Sequence, residues 1–143
     1  MNHWLVKSEP ETWSWQKQCE VGTTHWDGVR NFQASKHLKA MAPGDLAFFY
    51  HSGAERRIVG VVEVTKPYYP DPGDPSGRFG MVDVRAVEPV PEPVSLAAIK
   101  AEPRLADLAL VRQSRLSVMP IDEASWRLIR AMGGLKDQRP AQA

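Results

Sequence analysis

Three polar clusters in this sequence carry the residue types needed to recognise a ligand. Lys7-Ser8-Glu9 follows the apolar run Trp4-Leu5-Val6, and Tyr50-His51-Ser52 follows Leu46-Ala47-Phe48-Phe49. Each places charged or hydrogen-bonding groups where an apolar strand ends, and in a small barrel such ends converge on one rim. The third cluster, Trp26-Asp27-Gly28-Val29-Arg30-Asn31, sets an indole and a flexible glycine just before a helix, so that a flat aromatic face can stand at a pocket mouth with helix amides facing a ligand. Plainer roles weigh as much: Trp26 as core with Asp27 as a helix cap, Ser8 as the cap of the first helix, His51 as a turn residue, Lys7 as a solvated charge. Further on, Val111-Arg112-Gln113-Ser114-Arg115-Leu116-Ser117 gathers two arginines, an amide and two hydroxyls. Planar guanidinium forks suit phosphates and base edges, and structural ion pairing is an equally ordinary use for them. Arg56-Arg57 fit solubility first and phosphate contact second.

Several chemistries drop out. His3, His25, His37 and His51 do not fall at HExxH-type spacing, and the single cysteine, Cys19, can form neither an internal disulfide nor a cysteine-based metal site. No glycine-rich phosphate loop and no GxSxG elbow is present. With 18 Lys and Arg against 17 Asp and Glu, a net charge of +1 argues against holding duplex DNA chiefly by phosphate neutralisation, so nucleic-acid contacts must be local. No apolar run approaches the roughly 20 residues that span a bilayer, and Met1-Asn2-His3-Trp4 leads straight into a strand pattern. The expectation is a cytoplasmic protein without cofactor, metal or membrane partner. Five tryptophans among 143 residues point to packing, stacking or cation capture.

The elements that must position these clusters follow from periodicity. His3 to Lys7 reads as a buried strand, with a helix capped by Ser8 running to about Cys19 and a second helix over Val29 to Met41, stopped by Pro43-Gly44. Leu46–His51 and Ile58–Val64 read as a hairpin, Pro67 to Gly77 as an exposed loop, and Phe79 to Val87 as a third strand pairing with the hairpin. After the stiff Glu88–Pro93 segment come short helices at Ser95–Ala101 and Arg104–Leu110, a strand near Leu116–Met119, and a last helix capped by Asp122 and ended by Gly133-Gly134. Residues 1–135 form one α+β domain, with 136–143 expected as a disordered tail. Five or six strands among short helices suggest a small, strongly curved mixed sheet or barrel.

Taken in order, Trp4-Leu5-Val6-Lys7-Ser8-Glu9-Pro10, Trp26-Asp27-Gly28-Val29-Arg30-Asn31, Gly44-Asp45, Phe49-Tyr50-His51-Ser52, Val59-Gly60-Val61, Tyr69-Pro70-Asp71-Pro72 and Val111 to Val118 resemble the EVE domain family over residues 2–133. The resemblance implies a PUA-like fold, a curved β-barrel flanked by short helices and related to YTH and ASCH domains. In YTH domains a Lys-Ser pair ending the first strand and a tryptophan before the next helix help cage a methylated adenine; Lys7-Ser8 and Trp26 match those positions. Glu9 departs from the neutral polar residue found there, and Tyr68 or Tyr69 is the candidate for a second cage ring. For the EVE family the implied ligand is nucleic acid, DNA or RNA, carrying a modified base, usually a cytosine derivative.

The expected mechanism is non-catalytic. A flipped base stacks on Trp26 and its edge is read by groups among Lys7, Ser8, Glu9, Asp27, Asn31, Tyr50, His51 and Ser52, while Arg30, Arg112 and Arg115 hold phosphates. A carboxylate accepts from the exocyclic amine of cytosine, so Glu9 favours a cytosine-type ligand. The protein is expected to act as a monomer. The alternative is an ASCH-like hydrolase or ribonuclease, with Lys7 and either Glu9 or His51 as an acid–base pair.

Overall fold

A computed structural model describes residues 1–136; the tail expected over 136–143 lies, Lys136 apart, outside the described residues. Its centre is a six-stranded mixed sheet in the order β2-β5-β4-β3-β1-β6. The first strand, β1 (His3–Ser8), runs parallel to β3 (Leu46–His51) and antiparallel to β6 (Val118–Ile121). With a neighbouring strand on each side, β1 and β3 are apolar on both faces: Trp4, Leu5 and Val6 are buried, as are all six residues of β3. The parallel register sets Lys7 beside Tyr50 and Ser8 beside His51, so the two polar strand ends do lie together.

The expected hairpin is present, β3 pairing with β4 (Arg57–Pro70), and the third strand pairs with it as β5 (Gly80–Ser95). Both strands outrun their expected bounds. The stretch expected as a stiff connector over 88–93 continues β5, and the loop expected from Pro67 begins only after Pro70. Prolines are carried because the β4–β5 register slips at four places, and bulges excuse missing amide donors. The sheet stays open: β2 (Thr23–Trp26) pairs only with β5 and β6 only with β1, so the curved barrel implied above is not closed by hydrogen bonds.

The helices correct the reading of the caps. The first helix, α1 (Trp15–Val21), is capped by Ser14, whose hydroxyl accepts from the Lys17 N–H, and not by Ser8, which ends β1. The second, α2 (Phe32–Ala40), starts at Asn31, whose side-chain oxygen accepts from the Ala34 N–H; Asp27 caps nothing, because Gly28 turns the chain at φ +77° before the helix can begin. Ser95 caps α3 (Leu96–Lys100). The single helix expected over 104–110 divides into a 3₁₀ turn at Pro103–Leu105 and α4 (Ala109–Arg112). Asp122 caps α5 (Glu123–Met132), which seats Trp126 on Phe48 with ring centroids 4.0 Å apart.

One contact joins α1 to the sheet so closely that it limits the residue beneath. A Cβ at Gly60 on β4 would lie 2.5 Å from the ring of Trp15, which stands edge-on to Phe49 at 5.4 Å. Gly60→Ala is therefore expected to lower unfolding stability by about 1–3 kcal/mol, the usual cost of overpacking, measured as a shift in the denaturant midpoint at unchanged slope.

Candidate base-binding cleft

At the end of β1 the sheet opens into a cleft of about 590 Å³, lined by Lys7 and Ser8 of β1, by Glu9, Thr12 and Trp13 just beyond that strand, by Thr24 to Arg30, and by Ser117. Two indoles face this space. Trp26 is only 7% exposed and stands edge-on to Phe49 at 5.4 Å, so it serves as core and as cleft wall at once; the two roles weighed for it are not exclusive. Trp13, half-buried, is the second ring, and its Nε1–H donates to Oε1 of the fully buried Gln18 at 2.9 Å.

Short-range hydrogen bonds place Trp13. After Pro10 the chain folds back so that the Glu9 carbonyl accepts from the N–H groups of Thr12 and Trp13, and the Ser8 hydroxyl donates to the Trp13 carbonyl. Ser8 is thus a brace for the second ring. Lys7 donates through Nζ to the Ser114 carbonyl at 2.9 Å, and burial pushes its ammonium below the usual lysine range. The 111–117 run thereby braces Lys7 through the Ser114 and Ser117 carbonyls, and Ser117 lines the cleft.

The opposite wall depends on Asp71. Its buried carboxylate accepts from the Gly28 N–H at 2.9 Å, from Arg30 Nη1 at 2.9 Å and from the Gly73 N–H at 2.7 Å. The Gly28 N–H, with Arg30 and Gly73, holds this carboxyl below the ordinary aspartate range against the opposing effect of burial. The result is a fixed Trp26–Arg30 turn. At the rim, His25 Nδ1 lies 3.0 Å from an Asp83 carboxylate oxygen that also accepts from the Tyr69 hydroxyl; burial, followed by Asp83, pushes that phenol up to about 12.

Other expected site residues stand elsewhere. Asn31 is spent capping α2, and Asn31, Tyr50, His51 and Ser52 do not line the cleft. His51 is buried, its Nε2 accepting from the Trp15 N–H and its Nδ1 against Glu55, so no acid–base pair with Lys7 is assembled. Tyr69 is tied to Asp83, and Tyr68 packs over Gly80 with its hydroxyl near Ser35, so neither supplies the second ring. Arg30 lines the cleft; Arg112 pairs with Asp107 on the surface, and neither it nor Arg115 lines it. Among the described residues no group of three His, Cys, Asp or Glu side chains could hold a metal, and no helix is long and apolar enough to cross a membrane.

The EVE domain family matches residues 2–132 of this chain. The chain belongs to the EVE domain family. Human thymocyte nuclear protein 1 is 32% identical over 92% of this chain and 73% of its own length. Its crystal structure in complex with 5-methylcytosine-containing DNA superposes with a TM-score of 0.89 at 30% identity, covering 96% of this chain and 100% of that one. Rpa0253 from Rhodopseudomonas palustris, solved by NMR, is 51% identical with a TM-score of 0.90, covering 96% and 97% of the two chains. The YTH domain of Zygosaccharomyces rouxii MRB1, solved with N6-methyladenosine RNA, has a TM-score of 0.58 at 18% identity over 96% and 88%, a likeness of fold alone. The PUA-like architecture expected of an EVE domain is therefore the one present.

Proposed function

We propose that this EVE domain is a non-catalytic nucleic-acid reader that takes one flipped, modified base, a cytosine derivative, into the cleft at the end of β1. The observation carrying this reading is the pair of indoles, Trp13 and Trp26, on one cleft with the Glu9 and Asp27 carboxylates beside them. Aromatic faces accept any base; the carboxylates favour one that offers an amine, as cytosine does and thymine does not. The human relative solved with 5-methylcytosine-containing DNA supports the same class of ligand. Arg30, which lines the cleft with its side chain 40% exposed while its Nη1 holds Asp71, is the residue we assign to a flanking phosphate.

The test is a titration at fixed salt with single- and double-stranded oligonucleotides bearing cytosine, 5-methylcytosine or N6-methyladenine. Burying one methyl contributes about 0.8 kcal/mol, so 5-methylcytosine is expected to bind about fourfold tighter than cytosine, or better. Glu9→Gln is expected to shrink the preference for cytosine-type over thymine-type bases, since a carboxylate is replaced by a group that both donates and accepts. Equal affinity across the panel overturns the reading.

A further inference from the structure

Beside the cleft stands an aromatic side chain that the folded protein does not cover. Phe32 opens α2 two residues beyond Arg30 and is 64% exposed, the most exposed large apolar side chain after Met1. Its ring is not loose: it lies 4.9 Å from the ring of buried Phe79, tilted by 37°, and the Arg30 guanidinium carbon sits 5.8 Å from that same ring. Phe79 thus anchors two side chains together, one lining the cleft and one presenting a bare aromatic surface just outside it.

Two exposed cations stand on the segments that carry Phe32 and Phe79. Lys36, one helical turn along, and Arg78, next to Phe79, are exposed, while of the loop carboxylates Asp71 is buried against Arg30 and Asp74 stays ionised, tied to loop amides. Asp74 accepts from the N–H groups of Ser76 and Phe79 and from the Ser76 hydroxyl, and Asp71 is taken up by Gly28, Gly73 and Arg30. A rigid ring with cations around it is the combination by which proteins hold unpaired nucleotides, stacking for the base and charge for the backbone. A purely apolar partner would leave those cations without a counterpart.

We propose that Phe32, backed by Phe79, is a stacking platform for the nucleobase adjacent in the strand to the one held in the cleft. This rests on the base-reader function proposed above and adds a second, sequence-tolerant contact to it. Platform and cleft then share one strand, Arg30 lying between them. Stacking of this kind discriminates little between bases, so it raises affinity without altering preference for the modification.

The experiment compares wild type, Phe32→Ala and Phe32→Trp on single-stranded oligonucleotides with cytosine or 5-methylcytosine at the central position, the neighbouring nucleotide on either side being intact or abasic. Loss of one stacked base is expected to weaken Phe32→Ala about tenfold on intact strands, with Phe32→Trp at or above wild type. When the neighbour on the stacked side is abasic, Phe32→Ala and wild type are expected to bind alike. The ratio of 5-methylcytosine to cytosine affinity is expected to be the same in all three proteins. A Phe32→Ala affinity equal to wild type on intact strands, or an equal loss on intact and abasic strands, overturns the platform while leaving a modification ratio above one to support the cleft. A ratio of one with the neighbour-dependent Phe32 effect present overturns the cleft reading and supports the platform as a single-strand contact; no binding by wild type to any strand overturns both.

Discussion

Trp13→Ala is expected to reduce affinity for a 5-methylcytosine oligonucleotide by roughly 10- to 100-fold, the range for removing one aromatic partner from a stacked base. Trp13 is preferred to Trp26 for this measurement. Trp26 is buried against Phe49, and its truncation would cost about 3–5 kcal/mol of folding stability, confounding the readout. Trp13 is only half-buried, so the domain should still unfold cooperatively without it. Trp13→Phe separates the indole's two tasks. It restores a ring for stacking but leaves Oε1 of buried Gln18 without its donor, which costs about 1–3 kcal/mol of stability. The expected pattern is lowered stability in both variants, with near-wild-type binding for Trp13→Phe and the roughly 10- to 100-fold weaker binding for Trp13→Ala. Wild-type affinity in Trp13→Ala would show that this ring does not hold the base.

Asp71→Ala is expected to be the most damaging substitution to the opposite wall. It removes the buried carboxylate to which the exposed Gly28 and Gly73 N–H groups and the Arg30 guanidinium donate, and losing hydrogen bonds to a charged group costs about 1.5–3 kcal/mol. With the Gly28 turn released, Trp26 and Arg30 lose their fixed spacing, so binding should fall along with stability. The pH dependence carries a sign. The folded pKa of Asp71 is depressed, chiefly by the Gly28 N–H, so its stabilising contribution is complete above the unfolded aspartate pKa, about 3.9, and is lost as pH falls through the folded value. Asp71→Asn removes that dependence, and acid unfolding followed by circular dichroism should show a shallower loss of stability below about pH 4 than in wild type. The acid limb will not vanish, since Glu55, Asp74, Asp83 and Asp122 are depressed as well. An unchanged slope would mean that Asp71 carries no linked proton.

Part of the site is legible in the residues alone. Lys7-Ser8-Glu9 announces itself where an apolar strand ends and Trp26-Asp27-Gly28 as an indole and a glycine before a helix, and both line the cleft. The helix caps are less readable. Ser8 and Asp27 satisfy the capping pattern as well as Ser14 and Asn31 do, and the choice between them is made where Pro10 and Gly28 turn the chain. Trp13 belongs to no periodic pattern; the one available signal is an indole shortly after Ser-Glu-Pro, where the chain has to reverse. Tyr50-His51-Ser52 shows the converse error. Register with β1 sets Tyr50 beside Lys7 and His51 beside Ser8, but both side chains are buried, His51 held between the Trp15 N–H and Glu55, so neither reaches the cleft.

The amino-acid order by itself therefore determined local features: buried strands from unbroken apolar runs, the β3–β4 hairpin, the cap at Asp122, and an indole standing before a helix. Hydrophobic periodicity and capping act over a few residues, and so survive without knowledge of the rest. Tertiary structure alone decided that β4 and β5 extend through their prolines by bulging, that the sheet remains open, that Trp13 faces the cleft beside Trp26, and that Asp71, 43 residues from Gly28, ties down the far wall. Those features come from pairings between distant segments, whose cost in chain entropy is met only once the core around Phe48, Phe49 and Trp126 has formed.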